Sequence, residues 1–401
     1  MSAIHLYDDA RARTFEPFAL TRPAGELRAG ALLVRERWMR ALGAPVAGHL
    51  TSPHLAGFEE PGSAPVVDSG TLPAGTWVAN ARFLPALTRL PVEDAVLVAG
   101  TAVVAVRLRT ALPASAFADG TVDLASLTPA DGVRKTLASG WWAQDVWDYV
   151  RHLVPMLEHD IPVLGGPTPT SLPTGAIRVG AHPIYVEPGA DVEPSVCFDT
   201  SAGPILLRAG SHTHAFTRLV GPLYVGEGSS VTADKIAASS IGDTCKVHGE
   251  LSNSIFTGHS NKGHDGFVGH SMLGRWVNLG AGTITSNLKN TYGTVQLWTL
   301  EGIRETGLQF LGTLFGDHAK TGIGLTLTTG SVLGAGANVY GSQMPPKAVS
   351  PFAWGEAGAF VDYRADKFVD VAERMMSRRH VTLSDGMRRM LLASYAARWR
   401  A

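Results

Sequence analysis

The sequence predicts an α/β domain, a parallel β-helix of six-residue repeats, and a C-terminal helical segment. Three observations carry that prediction: an aliphatic residue returning every six positions through the middle of the chain, alternating strand-like and helix-like apolar runs before it, and two Arg-rich amphipathic stretches after it. Periodicity comes first because an internal repeat decides architecture before any single motif does.

In chain order, Ala31 to Leu42 and Val146 to Leu157 have helical spacing, while Ala95-Val96-Leu97-Val98-Ala99 and Val103-Val104-Ala105-Val106 are short apolar runs bounded by turn residues. That mixture predicts α/β structure over residues 1–165. A Pro/Gly/Thr stretch, Gly165 to Pro173, marks a linker at residues 166–175. The repeat then runs from about Ile177 to Tyr340: Val186 and Val192, Val225 and Val231, Ile241 and Val247, Leu273 and Leu279, then Leu327, Leu333 and Val339. One aliphatic in six, followed by small or acidic residues, fits a short strand with one inward side chain and a small-residue corner. A sandwich strand would alternate with period two, and a helix would need apolar returns at three and four. The β-helix is therefore expected over 176–345. Beyond Pro345-Pro346, residues 346–401 contain Tyr363 to Arg379 and Leu383 to Arg400, helical in spacing and suited to capping the open end of the coils or a neighbouring subunit.

At 401 residues and 45% hydrophobic content the chain is long enough for two or three cored domains. A formal net charge of -1 gives no bulk attraction to nucleic acid. The two cysteines, Cys197 and Cys245, form neither a disulfide framework nor a zinc-ribbon spacing. The N-terminal residues show no basic-then-apolar leader, and no apolar run approaches a membrane span, so no membrane association and a cytoplasmic location are expected.

Chemistry concentrates in Asn261-Lys262-Gly263-His264-Asp265-Gly266-Phe267 and Asn278-Leu279-Gly280-Ala281-Gly282-Thr283-Ile284-Thr285-Ser286-Asn287. An amine attacking a thioester must be a free base, which calls for a nearby group titrating near neutrality. The tetrahedral oxyanion then calls for a fixed N–H donor. His264 supplies the first, and the backbone of Ala281, in a small-residue turn, the second.

These segments, with Gly316-Asp317-His318-Ala319-Lys320-Thr321-Gly322-Ile323 and Ser350-Pro351-Phe352-Ala353-Trp354-Gly355, closely resemble the alternative bacterial GlmU-like proteins. So do Tyr7-Asp8-Asp9, Pro17-Phe18-Ala19-Leu20-Thr21-Arg22-Pro23 and Leu27-Arg28-Ala29-Gly30 near the N-terminus. That family combines UDP-N-acetylglucosamine diphosphorylase and glucosamine-1-phosphate N-acetyltransferase activities. The resemblance implies a Rossmann-like nucleotidyltransferase domain, a left-handed parallel β-helix and a homotrimer. It also implies acetyl-CoA as cosubstrate and Mg²⁺, with UTP and a hexosamine 1-phosphate as small-molecule partners. In the better-known GlmU acetyltransferases a His precedes an Asn-hydrophobe-Gly-Ala-Gly-Thr-Ile-Thr segment by fourteen residues, the spacing of His264 and Asn278 here. By this resemblance His264 is the base, Asn278 holds the amino sugar, Ala281 donates to the acyl oxygen and Asn287 helps bind sugar or coenzyme. Lys262 and Lys289 are candidates for the sugar phosphate, and Lys320 for a coenzyme phosphate. Phe267 and Leu288 stand where two tyrosines are usual, which puts the identical substrate in doubt.

In the N-terminal domain the resemblance is looser. Thr21-Arg22 and Arg28 match the end of the nucleotide-binding turn, but Phe15 to Leu20 replaces its Gly-rich part. Asn80, in Trp77-Val78-Ala79-Asn80-Ala81-Arg82, stands where a metal-binding Asp is usual, and Trp147-Asp148 resembles part of a Pro-Trp-Asp element. Arg22, Arg28, Asn80 and Arg82 are therefore expected at the nucleotide and Asp148 at the Mg²⁺. Three other readings stay open: an acyltransferase with a degenerate N-terminal domain, a non-catalytic trimeric scaffold, and a γ-type carbonic anhydrase-like protein with zinc held across a subunit interface by His259, His264 and a third ligand from His212-Thr213-His214.

Overall fold

A computed structural model of the chain describes residues 3–90, 96–128 and 135–400. It contains two compact units. One comprises the residues through Asp148 together with Leu383–Ala397, and the other Tyr149–Thr382 with the residues from Arg398 onward.

The first unit is built on a six-stranded sheet ordered Lys135–Leu137, Val96–Ala99, Ala102–Arg107, Trp77–Asn80, Ile4–Tyr7, Val46–Leu50. Ile4–Tyr7 is buried along its whole length and runs parallel to both of its neighbours, as expected of a strand covered on both faces. Ala102–Arg107 is antiparallel to both strands beside it. Tyr7, Leu50, Val78, Val96, Val106 and Phe117 form one core on this sheet. Both expected apolar runs are strands, Ala95 alone lying outside the described residues. The expected helix at Ala31 begins three residues later, at Val34, because Arg28–Ala29 and Leu32–Leu33 pair as a hairpin turned by Gly30 at φ +59°. Glu36 then accepts the Leu33 N–H at 2.8 Å and satisfies one of the orphan donors of the helix start.

The expected helix at Val146 to Leu157 is broken into Asp148–Arg151 and Leu153–Gly165. Pro155, best tolerated in a first turn because it lacks an N–H, fits the restart at Leu153, while Pro162 lies inside the same helix. Leu153–Gly165 packs on the strands Ile205–Leu207 and Leu223–Val225, so it belongs with the second unit rather than with residues 1–165.

The second unit is the β-helix. Its first face stacks six strands from Ile177–Gly180 to Phe267–Gly269. Its second stacks nine from Ile184–Val186 to Ala348–Val349, and its third ten from Asp191–Val192 to Val361–Asp362. Every coil-to-coil pairing is parallel, and only the last strand, Val361–Asp362, turns back antiparallel. The six-residue aliphatics are the inward side chains: Val225, Val231, Ile241, Val247, Leu273, Leu279, Leu327, Leu333 and Val339 share one core. Each such side chain removed from water is worth about 1.5–3 kcal/mol, so the stability of this unit accumulates coil by coil. Between Ile284–Thr285 and Thr313–Phe315 the coil is interrupted by an insertion carrying the hairpin Gln296–Thr299/Gly302–Glu305.

The two C-terminal helices part company. Ala365–Ser377 lies on the β-helix, with Phe368 edge-on to Phe352 at 4.9 Å and to His318 at 5.6 Å. Asp385–Ala397 instead packs in the first unit on the turn Pro53–Leu55, where Gly57 and Gly386 meet backbone to backbone. No helix among the described residues is long and apolar enough to cross a membrane.

Candidate functional site

The corner joining the third face to the first carries the acetyl-transfer candidates. In one coil it is formed by residues 263–266, between Asn261–Lys262 and Phe267–Gly269, and in the next by residues 280–283, between Asn278–Leu279 and Ile284–Thr285. The two corners are stacked, since the Gly282 N–H donates to the Asp265 carbonyl at 3.0 Å. His264 is exposed there, and Ala281 lies one coil on. Gly280, Gly282 and Thr283 each donate a backbone bond, to Thr321, Asp265 and Gly280, whereas among the described residues the Ala281 N–H donates to none. Asn278 stands just before the corner, in an outward row that continues through Asn261, Lys320 and Asn338. The Asn261 amide reaches Asn278 Oδ1 at 3.3 Å, and Arg379, just past the helix Ala365–Ser377, donates to Asn261 Oδ1 and to the Thr244 carbonyl.

Lys262 departs from its expected role. It is in register with Val247, so it occupies the inward aliphatic row rather than the outer surface and is 2% exposed. Its ammonium donates to the carbonyls of His248, at 2.8 Å, and His264. Gly249, at φ +86°, leaves the room: a Cβ there would lie 2.8 Å from the Lys262 Nζ and 3.2 Å from the His264 carbonyl. Burial lowers the Lys262 pKa to about 8, with Asp265 and Asp234 drawing it back up. The lysine thus lies inside the coil beneath the His264 corner, bonded to two backbone carbonyls, rather than on the outer surface. Lys320, in the outward row, donates to the His318 carbonyl at 2.9 Å, and burial lowers its pKa to about 8 as well.

Asn287 and Lys289 lie at the other end of the first face, where the insertion begins. The Asn287 amide contacts His270 Nδ1 at 2.8 Å, the Asn253 amide contacts Nε2 at 2.8 Å, and the ring stacks on Phe310 at 5.2 Å. Burial lowers the His270 pKa to about 4, so the ring is neutral at physiological pH and has one donor and one acceptor nitrogen for the two amides. Sequence reasoning did not single out His270, Asn253 or Arg379. His270 is six residues beyond His264, a spacing that shared coils do not make conspicuous. A single chain does not bring Asn287 to His264, since the strand Phe267–Gly269 lies between their corners.

Within one chain the two histidines of the zinc alternative stand at different corners. His259 sits at the corner before the third face, packed on Trp276 at 4.3 Å, while His264 sits at the corner after it. Among the described residues, neither group able to hold a metal includes His259 or His264.

In the first unit the candidates converge on a residue to which sequence reasoning gave no role. Asp9 follows the central strand Ile4–Tyr7, at the carboxyl end of parallel strands where open α/β sheets bind ligands. It accepts from Arg82 Nε at 2.8 Å and Nη2 at 2.7 Å, Asn80 Nδ2 at 2.8 Å and the Ala12 N–H at 2.9 Å. Burial pushes its carboxyl up, but the bonds and charge of Arg82, with Ala12 and Asn80, outweigh that and hold it below the usual range. Arg82 also lies over the Trp142 ring at 5.3 Å, and Arg11 pairs with Asp145. The position after the first strand was the signal available in Tyr7-Asp8-Asp9.

Arg22, Arg28 and Asp148 are placed otherwise than expected. Arg22 is 1% exposed, with both guanidinium nitrogens 2.8 Å from the Glu60 oxygens and its face over Phe58. Arg28, 2% exposed, donates to the Ala31 carbonyl and tightens its own hairpin. Asp148 is 3% exposed and accepts the Gln144 and Asp145 N–H groups at 2.9 and 3.0 Å on Oδ2, holding the turn that precedes its short helix. In each case the polar group is consumed by folding.

Residues 4–166 match the sugar nucleotidyl transferase family. A bifunctional sugar-1-phosphate nucleotidylyltransferase/acetyltransferase of Sulfurisphaera tokodaii is 35% identical over 92 residues, 23% of this chain and 23% of that protein. The bifunctional protein GlmU of Methanococcus vannielii is 26% identical over 151 residues, 37% of this chain and 33% of that one. That of a Synechococcus species is 29% identical over 114 residues, 28% and 21% of the two chains. The matched segments span no more than a third of any of these three relatives. The chain thus carries a sugar nucleotidyl transferase domain at its N-terminal end, followed by a parallel β-helix, and is similar in part to bifunctional GlmU proteins.

Proposed function

We propose that the β-helix transfers an acetyl group from acetyl-CoA to the amine of a hexosamine 1-phosphate, and that the N-terminal unit joins the product to the uridylyl group of UTP with release of pyrophosphate. The observation that carries the first half is the stacking of exposed His264 beside the corner whose Ala281 N–H has no acceptor among the described residues. The amine nitrogen attacks the thioester carbon as His264 takes its proton. The oxyanion is held by the Ala281 N–H, the C–S bond breaks, and the departing thiolate is protonated to free coenzyme A. Asn278 is placed to orient the sugar, while Lys262 fixes the carbonyl side of the corner from within. Asn287, about 10 Å of strand away, reaches the same ligand only from a second copy of the chain, in keeping with a trimer.

For the second half, Asp9, Asn80, Arg82 and Arg11 surround the carboxyl end of the central strands, and Arg82 and Arg11 are the cations nearest to a triphosphate placed there. The Asp9 oxygens are already held by Arg82, Asn80 and the Ala12 N–H, and Asp148 Oδ2 accepts two backbone bonds, so these two carboxylates are engaged within the fold rather than arranged as a Mg²⁺ cage. The test is a two-part product assay on the purified full chain. Thiol release from acetyl-CoA with glucosamine 1-phosphate, and pyrophosphate release from UTP with N-acetylglucosamine 1-phosphate, are both expected. Thiol release without pyrophosphate release would leave an acetyltransferase alone, and absence of both would overturn the proposal.

A further inference from the structure

The early coils carry a second polar constellation that the proposed reactions do not use. On the third face, Asp191–Val192 pairs with His212–Thr213, and that strand with Ser230–Thr232. Thr213 and Val231 are buried in the inward row. Asp191, Glu193, His212, His214 and Ser230 therefore share the outer surface of successive coils, because alternate residues of a strand share a face. The His264 corner lies three coils beyond the strand His212–Thr213.

Three of its side chains bring ligand atoms together. The His212 and His214 rings stack at 4.0 Å with 27° between their planes. His212 Nε2 is 3.0 Å from Glu193 Oε1 and 3.3 Å from Asp191 Oδ2, and His214 Nδ1 is 3.3 Å from the same Glu193 oxygen. A tetrahedral ion with bonds of about 2.0–2.1 Å to nitrogen and oxygen separates its ligand atoms by about 3.3–3.4 Å. One donor atom from each of Glu193, His212 and His214 lies within 4.8 Å of the others. Outer partners already orient two of the ligands: Glu193 Oε2 accepts the Ala215 N–H at 2.8 Å, and His214 Nε2 lies 3.3 Å from Ser230 Oγ. Two imidazoles and a carboxylate are donor types that an ion of the zinc class takes.

We propose that Glu193, His212 and His214 bind one divalent transition ion of the zinc class, with the fourth position open to water. The ion joins the coil of Asp191 and Glu193 to that of His212 and His214 and staples the beginning of the β-helix, which has neighbouring coils on one side only. Binding only to the folded chain, it raises thermal stability.

The experiment uses the full chain, untagged and freed of metal with a chelator, titrated calorimetrically with Zn²⁺ and spectroscopically with Co²⁺. One ion per chain, a rise in Tm and the visible absorption of tetrahedral Co²⁺ are expected. Glu193→Gln, which keeps shape while removing charge, should weaken binding about tenfold or more, and the His212→Ala/His214→Ala pair should abolish it. Absence of saturable binding at millimolar ion would overturn the proposal. So would undiminished binding in the double variant, which would move the ion to the other candidate group, Asp234, His248 and Asp265.

Discussion

Around His264 the polar groups stand on the outside of a corner whose inner side is an aliphatic column, whereas around Asp9 they fill the end of a sheet and neutralise one another. In the β-helix, residues one coil apart are neighbours, so spacing along the chain becomes position in space. In the α/β unit Asp9 meets Asn80 and Arg82 only after the chain has crossed the sheet, and Arg22 meets Glu60 in the same way. A repeat thus exposes its chemistry to sequence reasoning, and a sheet hides it. The exception inside the repeat is instructive, because Lys262 keeps the register of an aliphatic while having the wrong chemistry for one.

The strongest challenge to this contrast is Arg22→Ala. Removing one partner of a buried pair leaves Glu60 uncompensated, which costs about 3–5 kcal/mol, and a lowered urea midpoint should show it. Glu60→Gln should destabilise in the same direction. A fully stable Arg22→Ala protein with weakened UTP affinity would instead return Arg22 to the nucleotide site.

Next in size is His264→Ala, which should cut acetyl transfer about a hundredfold, close to 2.7 kcal/mol of barrier, while pyrophosphate release and stability stay unchanged. Because His264 is exposed, a large loss of stability would contradict its outward placement.

What was legible follows from these differences. The strands of the repeat, its inward aliphatics and the His264 to Asn278 spacing were visible because each depends on neighbours along the chain or one coil away. The burial of Lys262 was not, since only the register with Val247 reveals it. Asp148 and Arg28 look like site residues as letters, yet their bonds go to backbone within four residues, a competition that local motifs do not display. The site at Asp9 was partly legible: Asp8-Asp9 after an apolar strand marks a sheet's carboxyl end, but its partners are 71 and 73 residues away.

Lys262→Met sharpens the contrast within the β-helix. Methionine suits the inward row but cannot donate to the His248 and His264 carbonyls, so the corner should lose its anchor. We expect kcat for acetyl transfer to fall while KM for the sugar phosphate holds. A strut acts through the placement of His264, whereas a phosphate contact acts through binding. A raised KM with unchanged kcat would make Lys262 a ligand residue after all.

The smallest expected effect is a pH dependence that separates the same two roles without a substrate. The Lys262 pKa is lowered by burial to about 8 in the folded chain, from an ordinary value of 10.5. Between those values the unfolded chain holds more protons than the folded one, so this residue's contribution to stability rises with pH across that window. From pH 8 to 9 the gain is about 1 kcal/mol. Lys320 shifts in the same direction, so wild type must be compared with Lys262→Met, which retains Lys320. The stability difference between the two proteins should move in favour of wild type as pH rises from 8 to 9. A difference independent of pH would mean that the ammonium is solvated and titrates normally, and the inward placement of Lys262 would fail with it.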